Sequence, residues 1–195
     1  MMSGELTFPP IQIDVGSLVQ RSVASLYSHL VTRPTGRAVR LAIETLLADA
    51  GDTAFSLIDL SEVTVLDFSC ADEVVAKLLM RYQDADRPRE AYFVIRGLGE
   101  QHREPVEVVL DRQRLAAVIQ RADGAFELVG TRSGAEESAW LLVEDRGQLD
   151  AAEVSELLAG PDGRSALDGL VRRRLVFADG RGGIHALSRL AGARR

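Results

Sequence analysis

The sequence predicts an α/β fold followed by a small helical unit that closes on a two-stranded ribbon. Two observations carry this. Across residues 53–129, apolar runs of strand length alternate with amphipathic helical segments, an alternation that favours a sheet with crossover helices. Beyond Gly130-Thr131-Arg132-Ser133-Gly134 the alternation lapses and helical spacing takes over. The expected organisation is an α/β domain over residues 1–130 and a second, separable domain over 135–195.

Ile11, Ile13 and Val15 alternate with polar residues, the period of a half-buried strand. From Ser17 the period lengthens, placing Leu18, Ser22, Leu26 and Leu30 on one helical face. Pro34 and Gly36 punctuate the chain. A second helix is expected over 37–48, burying Val39, Ile43, Leu46 and Leu47. The run 55–60 reads as a strand. Ala71, Val74, Val75, Leu78, Leu79 and Tyr82 hold the spacing of an amphipathic helix, and 92–95 reads as another strand. Pro105 suits the first turn of a helix carrying Val109, Leu115, Val118 and Ile119, and a short strand follows at Phe126, Leu128 and Val129.

In the second domain, Trp140, Leu141 and Val143 belong to a helix ending near Gly147. Asp150 and Glu153 form a capping pattern ahead of Val154, Leu157 and Leu158. Gly160-Pro161-Asp162-Gly163 reads as a turn, and 164–174 as a helix burying Ala166, Leu167, Leu170 and Val171. Two short apolar runs then flank Asp179-Gly180-Arg181-Gly182-Gly183, a hairpin signal. Helix, helix, turn, helix and ribbon is the order of a winged helix.

Composition excludes several function classes. The chain has 195 residues, of which 23 are basic and 29 acidic, for a net charge of −6. Such a chain is not a general polyanion binder, so nucleic-acid contact needs a local basic face. Cys70 is the only cysteine, which excludes an intramolecular disulfide and a multi-cysteine metal site. Lys77 is the only lysine and no glycine precedes it, so the Gly-Lys-Ser/Thr phosphate loop is absent. No nucleophile with a base, no metal set and no cofactor motif can be assembled, so a non-enzymatic protein without cofactor is expected. Residues 1–10 are acidic where a signal peptide is basic, and no apolar run reaches membrane-spanning length. A soluble cytoplasmic protein without membrane contact is the expectation, with a homodimer open.

The segment Leu57-Ile58-Asp59-Leu60-Ser61-Glu62-Val63-Thr64-Val65-Leu66-Asp67-Phe68-Ser69 resembles the core signature of STAS domains, the family of sulfate-transporter tails and anti-sigma-factor antagonists. Asp67, Ser69 and the following amphipathic helix match. The family's usual Ser and Gly are here Phe68 and Cys70. Phe68-Ser69-Cys70-Ala71-Asp72-Glu73 is closer to a bacterial STAS-like branch whose loop runs Ser-Phe-Ala-Asp-Glu, a branch without a settled activity. The resemblance covers residues 53–129. It implies a STAS-like sheet and a protein partner, either a serine-kinase-like ATPase or a sigma-factor regulator. It also implies that Ser69 is a phosphoacceptor, beside a partner-docking loop of Asp67, Phe68, Cys70, Asp72 and Glu73. Separately, residues 167–176 are similar to the recognition-helix end of bacterial winged-helix regulators.

Each candidate also has a structural reading. Phosphate at Ser69 would meet free N–H groups at a helix start. Alternatively Ser69 is an N-cap, with Asp72 completing the capping pattern. Cys70 sits where a helix dipole favours a thiolate, yet no base accompanies it, and a small buried residue is the simpler reading. Asp67, Asp72 and Glu73 could take a divalent cation, or form a solvated loop. Residues 32–37 could hold an anion, or cap a helix.

From Arg164 to the C-terminus, eight arginines face only Asp168 and Asp179, a local charge of +6. A winged helix would put Arg164 and Ser165 at the start of its recognition helix, Arg181 at the wing tip, and Arg172, Arg173 and Arg174 at the far end, with one of these three packing back on the domain. These are the candidate contacts to double-stranded DNA. A protein-facing surface is the alternative. The two functions carried forward are a regulatory adaptor and a DNA-binding regulator that uses its STAS-like half as sensor or dimerisation element.

Overall fold

A computed structural model describes residues 11–15 and 29–192 of the chain. Five strands form the central sheet: β1 (Ile11–Asp14), β3 (Thr53–Asp59), β5 (Glu90–Arg96), β6 (Ala116–Gln120) and β7 (Phe126–Gly130), in that order. The first four run parallel and β7 closes the sheet antiparallel to β6. Beside this sheet, β2 (His29–Leu30) and β4 (Val65–Leu66) form a short parallel pair. The α/β class read from the alternation is observed.

One face of the sheet carries three helices: α1 (Arg33–Ala48), α2 (68–83) and α3 (Glu100–Arg112). Helix α2 is an α turn Phe68–Ala71, a π stretch Asp72–Lys77 and an α segment Leu78–Gln83. Its six expected apolar positions are all buried, together with Ala54, Ile58, Phe93, Ile95, Ile119 and Val129 of the sheet.

The other face carries the C-terminal unit. This comprises α4 (Gly134–Arg146), β8 (Gln148–Leu149), α5 (Ala151–Leu157), α6 (Pro161–Arg172), β9 (Val176–Ala178), β10 (Ile184–Ala186) and α7 (Leu187–Leu190). Its strands form an antiparallel sheet in the order β8-β10-β9. Phe55, Leu57, Tyr92, Val94, Val118 and Leu128 bury against Trp140, Leu170, Val176 and Phe177 in one cluster. Because both faces are covered, β3 and β5 read as continuous apolar runs instead of alternating ones.

Polar contacts also cross the junction between the two units. Gln83 donates to the Arg173 carbonyl at 3.0 Å, and Arg174 pairs with Glu90 at 2.6 Å. Arg174 also lies over the Tyr92 ring, and Tyr92 meets Phe177 edge-on. The change of pattern at 130–134 therefore marks a change of architecture within a shared core.

Several element readings are corrected. Leu115, Val118 and Ile119 are not on the helix of Pro105. Helix α3 ends at Arg112, Arg114 takes a left-handed φ of 54°, and the chain enters β6. Pro105 lies inside α3, beyond its first turn. Helix α1 starts at Arg33, four residues before the expected 37, because the Thr32 hydroxyl caps it and Pro34 sits in its first turn. Leu46 is exposed. Leu30, assigned by spacing to a helix, is in β2; the rest of that expected helix lies outside the described residues. Pro161 opens α6, so the expected turn at 160–163 is its first turn.

Candidate functional site

Two parallel strands lead into two helix starts. Leu30 of β2 pairs with Leu66 of β4, and the Asp67 N–H continues the ladder to the Leu30 carbonyl at 2.9 Å. The chains then leave side by side into α1 and α2. Gly36 permits this approach: a Cβ there would come within 2.9 Å of the Cys70 Cα.

The cap of α2 is Asp67, not Ser69. Its Oδ1 accepts from the Cys70 N–H at 2.8 Å and from the Ser69 hydroxyl at 2.9 Å. Ser69 is thus the second residue of the helix, half-buried, with its Oγ–H held by a carboxylate. Asp72 completes no cap; it turns to Arg33 at 2.7 Å, to Gln113 at 3.4 Å and to Lys77 at 3.7 Å.

Two residues of the expected docking loop face inward. Cys70 is fully buried and its Sγ–H donates to the Thr32 carbonyl at 2.9 Å. Burial, then the neighbouring Asp67, push its thiol up to about 12, so the helix-start dipole does not yield a thiolate. Glu73 is buried among Arg33 at 3.1 Å, Arg40 at 3.3 Å and Lys77. Burial pushes the Glu73 carboxyl up, but Lys77, Arg33 and Arg40 outweigh it and hold the group below its ordinary range. The acidic cluster is therefore an ion-paired clamp between α1 and α2, and not a solvated loop. Among the described residues no three or more His, Cys, Asp or Glu side chains converge as a metal set would. The segment 32–37 is likewise a cap, with Arg33 directed to Asp72 and Glu73.

Three apolar side chains are also left exposed at this end. Phe68 is 46% exposed, Val31 46% and Val65 40%. Val31 follows β2 directly, Phe68 opens α2 two residues after β4, and Val65 lies within β4. Val31 and Val65 were missed by the sequence reading. Strand alternation around the buried Leu66 is the one signal that places Val65 outward.

The second candidate surface lies on α6 and the β9–β10 loop. Asp179 shapes that loop, accepting from the N–H groups of Arg181 at 2.8 Å and Gly183 at 2.9 Å. Arg181 is exposed at its tip. Arg164, Ser165 and Arg172 are exposed on α6, but so are Asp162 and Asp168. Arg172 also lines a cleft of about 220 Å³ with Glu136 and Asp162.

Arg173 and Arg174 drop out of the DNA-contact set. Arg173 bonds Glu136 at 3.2 Å and the Thr131 carbonyl at 2.6 Å, while Arg174 is held by Glu90 and Tyr92. Two of the three terminal arginines pack back, where one was expected. Arg194 and Arg195 lie outside the described residues. Among the described residues, four arginines of this segment are exposed, Arg164, Arg172, Arg181 and Arg189, and Asp162 and Asp168 are exposed with them.

Compared with known proteins, the chain matches no family model, no curated protein and no solved structure. Among the described residues no helix is long and apolar enough to cross a membrane.

Proposed function

We propose that the chain is a regulatory adaptor whose STAS-like half docks a protein partner at the start of α2, under control of Ser69. The observation that carries this is the exposure of Phe68, next in sequence to a serine whose hydroxyl is bound to the capping carboxylate, with Val65 of β4 and Val31 just after β2 also exposed. An apolar patch framed by polar groups suits a protein contact.

Phosphorylation would act locally. The Ser69 oxygen would lose the proton it donates to Asp67, and a group of about −1.5 to −2 charges would stand against that carboxylate. Asp67 would be driven off the Cys70 N–H, and the first turn carrying Phe68 would shift. A serine-kinase-like ATPase or a sigma-factor regulator is the partner class that the family resemblance suggests. The order of helices and strands in the C-terminal unit supports the winged-helix reading.

A second reading, contact with double-stranded DNA, is favoured by one observation: Arg164, Arg172, Arg181 and Arg189 are exposed, and their guanidinium groups pair with no carboxylate among the described residues. The adaptor reading is tested by mass spectrometry of the chain from its own cells, separated into complexed and free fractions. Phosphate on Ser69 is expected in the free fraction and not in the complexed one. Unmodified Ser69 in both fractions contradicts the switch.

A further inference from the structure

We infer that the outer edge of β7 pairs with β7 of a second copy of this chain, extending the sheet across a two-fold axis. Strand β7 ends the sheet, so among the described residues its far side has no neighbouring strand. The flanking bonds fix which groups point there. Thr131 N–H donates to the Leu115 carbonyl and Arg121 N–H to the Ala125 carbonyl, in the same register that pairs Ala117 with Val129 and Ile119 with Glu127. In an antiparallel ladder such pairs alternate, so the N–H and C=O groups of Phe126 and Leu128 point away from β6. Gly130 faces the same way; its carbonyl receives Arg132 Nη1 at 2.9 Å on one lone pair and keeps the second for the Phe126 N–H of a facing strand.

Exposed edges are ordinarily blunted by lysine, proline, bulges or an unpaired charge. On this strand there is no lysine, no proline and no bulge. Its register with β6 is unbroken, and the single charge, Glu127, is taken by both terminal nitrogens of Arg103, at 2.8 and 3.2 Å.

The strand Phe-Glu-Leu-Val-Gly is also self-complementary about its centre. In antiparallel pairing, Leu128 meets Leu128 of the second copy, and Glu127 faces Val129, so like charges never oppose. Phe126 lies over Gly130, a large ring against a residue without a side chain. The β6–β7 turn of each copy, with Arg121 and Asp123, reaches the end where Arg132 and Glu137 of the other stand, so each end offers both signs of charge. Such symmetry closes an isologous dimer and is not required of an unrelated peptide.

The test uses the full chain in sedimentation, with amide hydrogen exchange and circular dichroism alongside. Expected is a concentration-dependent dimer in which the Phe126 and Leu128 amides gain protection as it forms. Phe126→Pro removes an outward donor without touching the β6 ladder, and Phe126→Lys adds an edge charge while keeping the N–H. Each should give a monomer with an unchanged dichroism spectrum. A monomer at every concentration overturns the inference. So does a dimer that survives both substitutions, or one in which the two amides still exchange freely.

Discussion

The start of α2 and the first turns of α6 both gather charged residues at a helix start, and they deploy them in opposite ways. At α2, Asp72 and Glu73 are tied to Arg33, Arg40 and Lys77, and Phe68, Val31 and Val65 are left exposed. At α6, Arg164 near its start and Arg172 at its end are exposed and unpaired among the described residues, whereas the next two residues, Arg173 and Arg174, are tied down. Charge in a sequence window is therefore not charge on a surface. The first region has the chemistry of a protein-docking patch, the second that of a modest polyanion contact.

The largest expected effect breaks the shared core on which both regions rest. Truncation after residue 133 would expose Phe55, Leu57, Tyr92, Val94, Val118 and Leu128. At about 1.5–3 kcal/mol for each large side chain, the loss is comparable with the whole stability of an ordinary domain, about 5–15 kcal/mol. The fragment 1–133 should be insoluble or lack cooperative unfolding; a soluble fragment with a sharp melting transition contradicts the shared core.

Glu73→Gln comes next, since it removes the buried carboxylate that Arg40 shares with the more exposed Arg33 and Lys77, at a cost of about 1.5–3 kcal/mol in thermal or urea unfolding. The pH dependence has a fixed sign. The folded-state carboxyls of Asp72 and Glu73 lie below their ordinary range, because Arg33, Lys77 and the other partners outweigh burial. Their stabilisation is present above the ordinary carboxylate range and lost as pH falls through the lowered values. The Glu73→Gln protein should lose less stability than the parent on acidification. An equal loss in the two proteins would remove Glu73 from that account.

A smaller contrast separates the arginines. Arg173→Ala should cost about 1.5–3 kcal/mol of stability and leave any DNA affinity's salt dependence unchanged. Arg181→Ala should change stability by less than about 0.5 kcal/mol and lower the salt slope by about one unit. A salt series on the full-length variants decides it; equal slopes would make the α6 surface a protein contact.

Much of the fold is legible because strands buried on both faces announce themselves as unbroken apolar runs, as at 55–60 and 92–95. Residues 115–119 defeat the same reasoning. Leu115, Val118 and Ile119 fit helical spacing as well as a buried strand, and nothing local signals that Arg114 turns left-handed. At the site, Ser69 and Phe68 were found because they sit on a recognisable loop. The partners of Glu73 were not: Lys77 stands at the legible four-residue spacing but went unread, and Arg33 and Arg40 come from another helix. Cys70 is buried, as its reading as a small buried residue expects, with Gly36 packed against it.

The most direct test of the docking account is calorimetric titration of the isolated partner against four full-length chains: the parent, Ser69→Ala, Ser69→Asp and Phe68→Ala. Ser69→Ala should bind as the parent does. Ser69→Asp and Phe68→Ala should each weaken binding by about tenfold or more, equivalent to about 1.4 kcal/mol, with melting temperatures close to that of the parent. Four equal affinities would contradict the account.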